Sequence, residues 1–108
     1  MKIIQDGLTV TPGCVRGKCR ILNSEQDVEF VENGEIIILP YSHPMFAPAL
    51  FRASAVVCEN GGKLSHICIV AMEMGLTCLT GVKNITKILN TGDDIMVDSK
   101  EGAIYLYE

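Results

Sequence analysis

Apolar residues come in short runs along the chain, and each run ends at glycine, proline or an acidic turn. From Cys14 to Leu22, Val15, Cys19 and Ile21 alternate with Arg16, Lys18 and Arg20, the period-two pattern of a half-buried strand. Leu8 to Val10 predicts a short extended piece before it, and Thr11-Pro12-Gly13 a turn. A polar stretch follows as far as Asn33-Gly34. Ile36-Ile37-Ile38-Leu39 has no polar face, which predicts a strand covered on both sides, and Pro40 stops it. Tyr41 to Pro48 reads as loop, with room for a helical turn within Met45 to Arg52. Ala55 to Cys58 is a second buried strand and runs into Glu59-Asn60-Gly61-Gly62, where paired glycines break regular structure.

Beyond that break the period changes from two to about 3.6. Ile67, Val70, Ala71 and Met74 fall at i, i+3, i+4 and i+7, one face of a helix, with Ser65 as the natural N-cap and Gly75 where a C-terminal cap belongs. Cys78-Leu79 predicts a brief strand and Asn84 to Leu89 a short helix. Asp94 to Val97 and Ala103 to Tyr107 form a hairpin closed around Asp98 to Gly102. The sum is an α/β chain with several strands in mixed sheets and two to three helices. No repeat, composition shift or linker divides it, so residues 1–108 are expected to form one domain.

Composition narrows the function classes. Nine basic residues against thirteen acidic ones give a net charge of -4, and the basic residues are scattered, which argues against a nucleic-acid surface. The longest apolar stretch, Ile36 to Pro40, is far short of the ~20 residues that span a bilayer, and the first six residues lack a signal-peptide core, so a cytoplasmic protein without membrane contact is expected. The five cysteines (Cys14, Cys19, Cys58, Cys68, Cys78) are widely spaced with no C-x-x-C, so reduced thiols and no metal site are expected.

Candidate chemistry lies in Gly61-Gly62-Lys63-Leu64-Ser65-His66. A helix start presents backbone N–H groups without internal partners and the positive end of the helix dipole, which together make an anion site. Gly61 and Gly62 allow close backbone approach, Ser65 adds a hydroxyl and Lys63 a mobile cation. His66 falls at the first helical position, where the dipole favours a neutral ring with a nucleophilic nitrogen. A phosphoryl group on that nitrogen would sit over the donors already described. A Gly-Gly turn before a Ser-capped helix is also ordinary architecture, so spacing alone does not decide between a site and a fold element. His43 reads as an exposed loop residue, and Cys68, two residues after His66, falls on the other side of the helix, which argues against a Cys-His pair.

Gly61 to Gly81, GGKLSHICIVAMEMGLTCLTG, resembles the phosphohistidine signature of the mobile, swivelling domain of the phosphoenolpyruvate-utilising enzymes, approximately G-G-x-T-S-H-x-x-I-x-A-R-x-x-G-[IL]-P-x-x-x-G. That family includes pyruvate phosphate dikinase, phosphoenolpyruvate synthase and enzyme I of the sugar phosphotransferase system. Leu8 to Gly17 (LTVTPGCVRG), Ile37 to Pro48 (IILPYSHPMFAP) and Asp94 to Tyr105 (DIMVDSKEGAIY) resemble its opening strand and turn, its proline-rich loop and its closing hairpin, in the right order.

The resemblance implies a swivelling β/β/α domain in which His66 carries a phosphoryl group between a nucleotide-binding domain and a phosphoenolpyruvate/pyruvate domain. Gly61, Gly62, Lys63 and Ser65 would bind the phosphate. It implies no cofactor on this domain, with Mg and ATP or phosphoenolpyruvate on the partner domains. Two departures bear on this: Leu64 stands where the pattern has Thr and Met72 where it has Arg, which removes a hydroxyl and a cation. They leave open a second reading, a catalytically degenerate module kept for binding or regulation.

Overall fold

The computed structural model describes residues 1–108. Eight strands, β1 (Lys2–Asp6), β2 (Leu8–Thr11), β3 (Cys14–Ile21), β4 (Glu35–Leu39), β5 (Ala53–Cys58), β6 (Thr77–Thr80), β7 (Asp94–Asp98) and β8 (Ala103–Tyr107), are hydrogen-bonded in the order β1-β8-β7-β3-β4-β5-β6-β2. The α-helices are α1 (His66–Met74) and α2 (Ile85–Ile88), and 3-10 segments span Glu25–Phe30 and Pro44–Phe51. The mixed sheet and helix count predicted from the sequence are what the chain adopts.

Strand β3 belongs to two halves of the sheet. Its first part, Cys14 to Lys18, pairs antiparallel with β7, and its last part, Cys19 to Ile21, pairs parallel with β4. Strands β3 to β6 then run parallel, and the segments between them supply the 3-10 turns and α1. Strands β1 and β2 lie at opposite ends of the order although only Gly7 separates them. One bent ribbon therefore pairs with β8 on one side and with β6 on the other, and both outer strands meet at a single residue. Gly7 donates its N–H to Gly102 O at 2.9 Å, and a Cβ there would lie 2.6 Å from Val82 Cγ2 and 2.8 Å from Thr80 O. The corner closes only because that position has no side chain.

Alternation along the parallel strands divides the interior. Ile37, Leu39, Val56, Cys58 and Cys78 face a core covered by Ile67, Cys68 and Ala71 of α1. Ile36, Ile38, Ala55, Val57 and Leu79 face a second core with Ile95, Val97 and Ile104. This is why β4 and β5 carry no polar face: both of their sides are buried. Each aliphatic side chain removed from water contributes roughly 1.5–3 kcal/mol. Pro48, inside Pro44–Phe51, has no N–H to give the Pro44 carbonyl and keeps the segment from forming a regular α-helix. No helix is long and apolar enough to cross a membrane.

All five cysteines are free thiols, and Cys14 alone is exposed. Burial pushes the Cys19 thiol up to about 11. A hydrogen bond with Cys68, then burial, holds Cys58 and Cys78 well above the ordinary thiol range. A reagent must reach the sulfur, and Cys19, Cys58, Cys68 and Cys78 are fully buried, so a disulfide reagent should titrate one thiol in the native protein and five after denaturation. More than one fast-reacting thiol in the native state would contradict this packing.

Candidate active site

The site is built at the carboxyl ends of β4 and β5, where their loops are tied together. Glu59 N–H donates to Leu39 O at 2.8 Å, and the Asn60 side-chain amide donates to Pro40 O at 3.0 Å. The Glu59 carboxylate accepts from the backbone N–H and the hydroxyl of Thr86, at 3.0 and 2.7 Å. Thr80, fully buried, donates its hydroxyl to Gly61 O at 2.7 Å. The loop that leads into α1 is thus anchored to the ends of β4 and β6 and to α2 before it reaches the helix.

The two glycines do different work. Gly61 has φ 133°, a conformation that L side chains rarely adopt, and a Cβ there would press to 3.1 Å on Ser42 Cβ and 3.2 Å on Ser65 Oγ. Gly62 has no positive φ, and nothing lies within 4 Å of where its Cβ would be. Neither the backbone nor packing within the chain requires glycine at position 62, which leaves open space directly over the turn.

Lys63 and Leu64 form the exposed tip of that turn. Ser65 closes it: its N–H donates to Gly62 O at 3.0 Å and its hydroxyl to the same oxygen at 2.7 Å. Ser65 holds the N-cap position, as its residue type predicts, but its side chain makes no capping bond. The cap comes from elsewhere. Ser42, in the loop after β4, accepts the N–H of Ile67 on its hydroxyl at 2.9 Å.

His66 is the first residue of α1 and is exposed, with no hydrogen bond to its ring. Its own N–H has no partner in the chain, so a free donor and a free imidazole share the helix start. Ile67 and Cys68 are fully buried beneath it, and Cys68 points into the core as its position two residues on requires. The helix ends at Gly75 with φ 69°, the left-handed cap its position predicts. Apolar side chains are exposed before and along α1: Leu64 is 80% exposed, and Ile69 and Met72 are exposed on the helix itself.

Gly61, Gly62, Ser65 and His66 therefore come together in one turn. Lys63 is beside them in sequence, but its amino group makes no hydrogen bond or ion pair. His43 Nδ1 accepts Met45 N–H at 3.0 Å and caps the 3-10 segment. Ser42 and Thr80, which hold the loop and the helix start, were not singled out by the sequence reading. The only local signal for Ser42 is its place in a proline-bounded loop at the end of a buried strand.

Residues 31–102 match the family model described as PEP-utilising enzyme, mobile domain. A protein of Archaeoglobus fulgidus named "Probable phosphoenolpyruvate synthase" is 36% identical over 104 residues, which cover 96% of this chain and 14% of that protein. Phosphoenolpyruvate synthase of Pyrococcus furiosus is 35% identical over 104 residues, 96% of this chain and 13% of the relative. The chain thus spans about one-seventh of the length of the curated relatives it matches.

Among solved structures, aconitase X of Thermococcus kodakaraensis superposes with a TM-score of 0.74 at 14% identity, covering 96% of this chain and 98% of that one. An NMR structure of Enzyme I gives 0.63 at 22% identity, covering 74% and 33%. At these identities the structural likeness speaks for the fold alone. The chain belongs to the family of PEP-utilising enzyme mobile domains.

Proposed function

We propose that this chain is a phosphoryl carrier, with His66 as the acceptor. The observation that carries the reading is the exposed, hydrogen-bond-free imidazole at the start of α1, beside an unpaired N–H and open space over Gly62. A lone pair on one ring nitrogen attacks phosphorus and forms the N–P bond. The bond from phosphorus to the donor oxygen breaks, and its electron pair leaves with the donor. The second transfer reverses these events toward an acceptor. Negative charge on the phosphoryl oxygens meets the helix start, the Gly61-Gly62 backbone, the Ser65 hydroxyl and the Lys63 ammonium.

The donors fitting this family are ATP and phosphoenolpyruvate, held on a nucleotide-binding domain and on a phosphoenolpyruvate/pyruvate domain of the same longer enzyme or of partner chains. Between them the carrier swivels. Mg ions belong with the nucleotide on those partners; in this chain no group of three His, Cys, Asp or Glu side chains is arranged to hold a metal. With these metabolites as donors, the reading sets the protein in the cytoplasm.

A second reading, a degenerate module, draws on Leu64 and Met72, which put apolar surface where the family pattern has Thr and Arg. Complementation in trans separates the two. The chain is added to the nucleotide-binding and phosphoenolpyruvate-binding domains of a matched phosphoenolpyruvate synthase, with ATP and pyruvate. Phosphoenolpyruvate formation that depends on the added chain supports the carrier; none, while the relative's own mobile domain restores it, supports the degenerate module.

Gly62 offers a finer check. Gly62→Ala meets no atom of the chain, and alanine at a compatible backbone position is neutral or stabilising by about 0.4–1 kcal/mol. Its methyl would nevertheless enter the space assigned to phosphate, so phosphorylation of His66 should slow by about tenfold or more while the melting temperature holds or rises. Unchanged phosphorylation would remove Gly62 from the cradle.

A further inference from the structure

We infer that Ser42 is a positioning residue for His66 phosphorylation: it caps α1 in place of Ser65, and so leaves the Ser65 hydroxyl free to bind the phosphoryl group. The inference rests on the carrier reading of His66 and deepens it. A serine at an N-cap ordinarily accepts the N–H of the second or third helical residue. Here the second is Ile67, and its N–H goes to Ser42 Oγ at 2.9 Å, from a residue 25 positions earlier. Ser65 makes no capping bond and donates its hydroxyl to Gly62 O at 2.7 Å.

This division has a chemical consequence. A hydroxyl that caps a helix cannot move to an incoming anion without uncapping that helix. The Ser65 hydroxyl has only to exchange a neutral bond to Gly62 O for a charge-assisted one to a phosphoryl oxygen. The helix start stays fixed while this happens, because Ser42 holds Ile67 N–H throughout. The same contact sets the loop's spacing: Gly61 packs so closely on Ser42 and Ser65 that a Cβ would lie 3.1 and 3.2 Å from them. Ser42 is half-buried.

The test compares Ser42→Ala, Ser42→Thr and Ser65→Ala in the 108-residue chain by two readouts. The first is amide hydrogen exchange at Ile67 in the unphosphorylated protein. The second is the rate of His66 phosphorylation by ATP or phosphoenolpyruvate with the partner domains. Ser42→Ala should speed Ile67 exchange about tenfold and slow phosphorylation by a similar factor, the size of an ordinary cap contribution. Ser42→Thr, which keeps the hydroxyl, should restore both. Ser65→Ala should slow phosphorylation while Ile67 exchange stays at the wild-type rate. The inference is overturned if Ser42→Ala leaves Ile67 exchange within twofold of wild type, if it phosphorylates at the wild-type rate, or if Ser65→Ala is the variant that releases Ile67. A wild-type chain that takes no phosphate contradicts the carrier reading and the role in transfer, while the exchange readout still decides whether Ser42 is the cap.

Discussion

His66→Asn should abolish phosphoryl uptake, by on the order of a thousandfold or more, and leave the melting temperature within about 3 °C of wild type. The two halves of this expectation have separate causes. The imidazole is the only group at the helix start with a nucleophilic nitrogen, and asparagine has no lone pair of comparable basicity to offer phosphorus. Stability should not move, because the ring is exposed and makes no hydrogen bond, and surface substitutions of that kind usually fall within ±0.5 kcal/mol. Parallel thermal melts and intact-mass measurements check both halves. Residual phosphorylation in His66→Asn would direct attention to another acceptor, and His43, the second histidine of the chain, would be the first to substitute.

Gly7→Ala should strongly destabilise the fold. Its methyl would lie 2.6 Å from Val82 Cγ2 and 2.8 Å from Thr80 O, and the second contact is with backbone that is itself fixed in β6. Overpacking of this kind costs about 1–3 kcal/mol, occasionally more, which for a chain this size lowers the melting temperature by roughly 10 °C. Relief by moving the corner would break pairing of β1 with β8 or of β2 with β6. A melting temperature unchanged by Gly7→Ala would mean that the ribbon does not close the sheet at this residue. Thr80 also anchors Gly61, so damage at the corner should reach the phosphate loop as well.

The sequence made the parallel centre legible because its physics is local. Ile36 to Leu39 and Ala55 to Cys58 are β-branched runs without a polar face, and both faces of each strand are in fact covered. The helix start was legible for a similar reason, since a change of period, two glycines and a C-terminal glycine frame α1. Strand β1 was not. Lys2 to Asp6 alternates poorly and stays half exposed, and it is a strand only because β8 lies beside it, about a hundred residues later in the chain. The 3-10 segment Glu25–Phe30 was read as part of a polar stretch because it buries Val28 alone.

The hydrogen-bond partner at the start of α1 is not legible in the sequence, for the same reason that β1 is not. Residue type places Ser65 correctly at the N-cap position, but which hydroxyl takes Ile67 N–H depends on a loop packed alongside from between β4 and β5. Positions are readable from local pattern here, and partners are not. Gly62→Ala and Ser65→Ala test the phosphate-binding roles proposed for those two residues.

The most direct measurement is the mass of the wild-type chain after incubation with the partner domains and either ATP or phosphoenolpyruvate, followed by fragmentation at neutral or alkaline pH. One added phosphate, confined to His66, lost in acid and retained in base, is the expected result. A phosphate that survives acid, or one that maps to a hydroxyl residue, would contradict the carrier account.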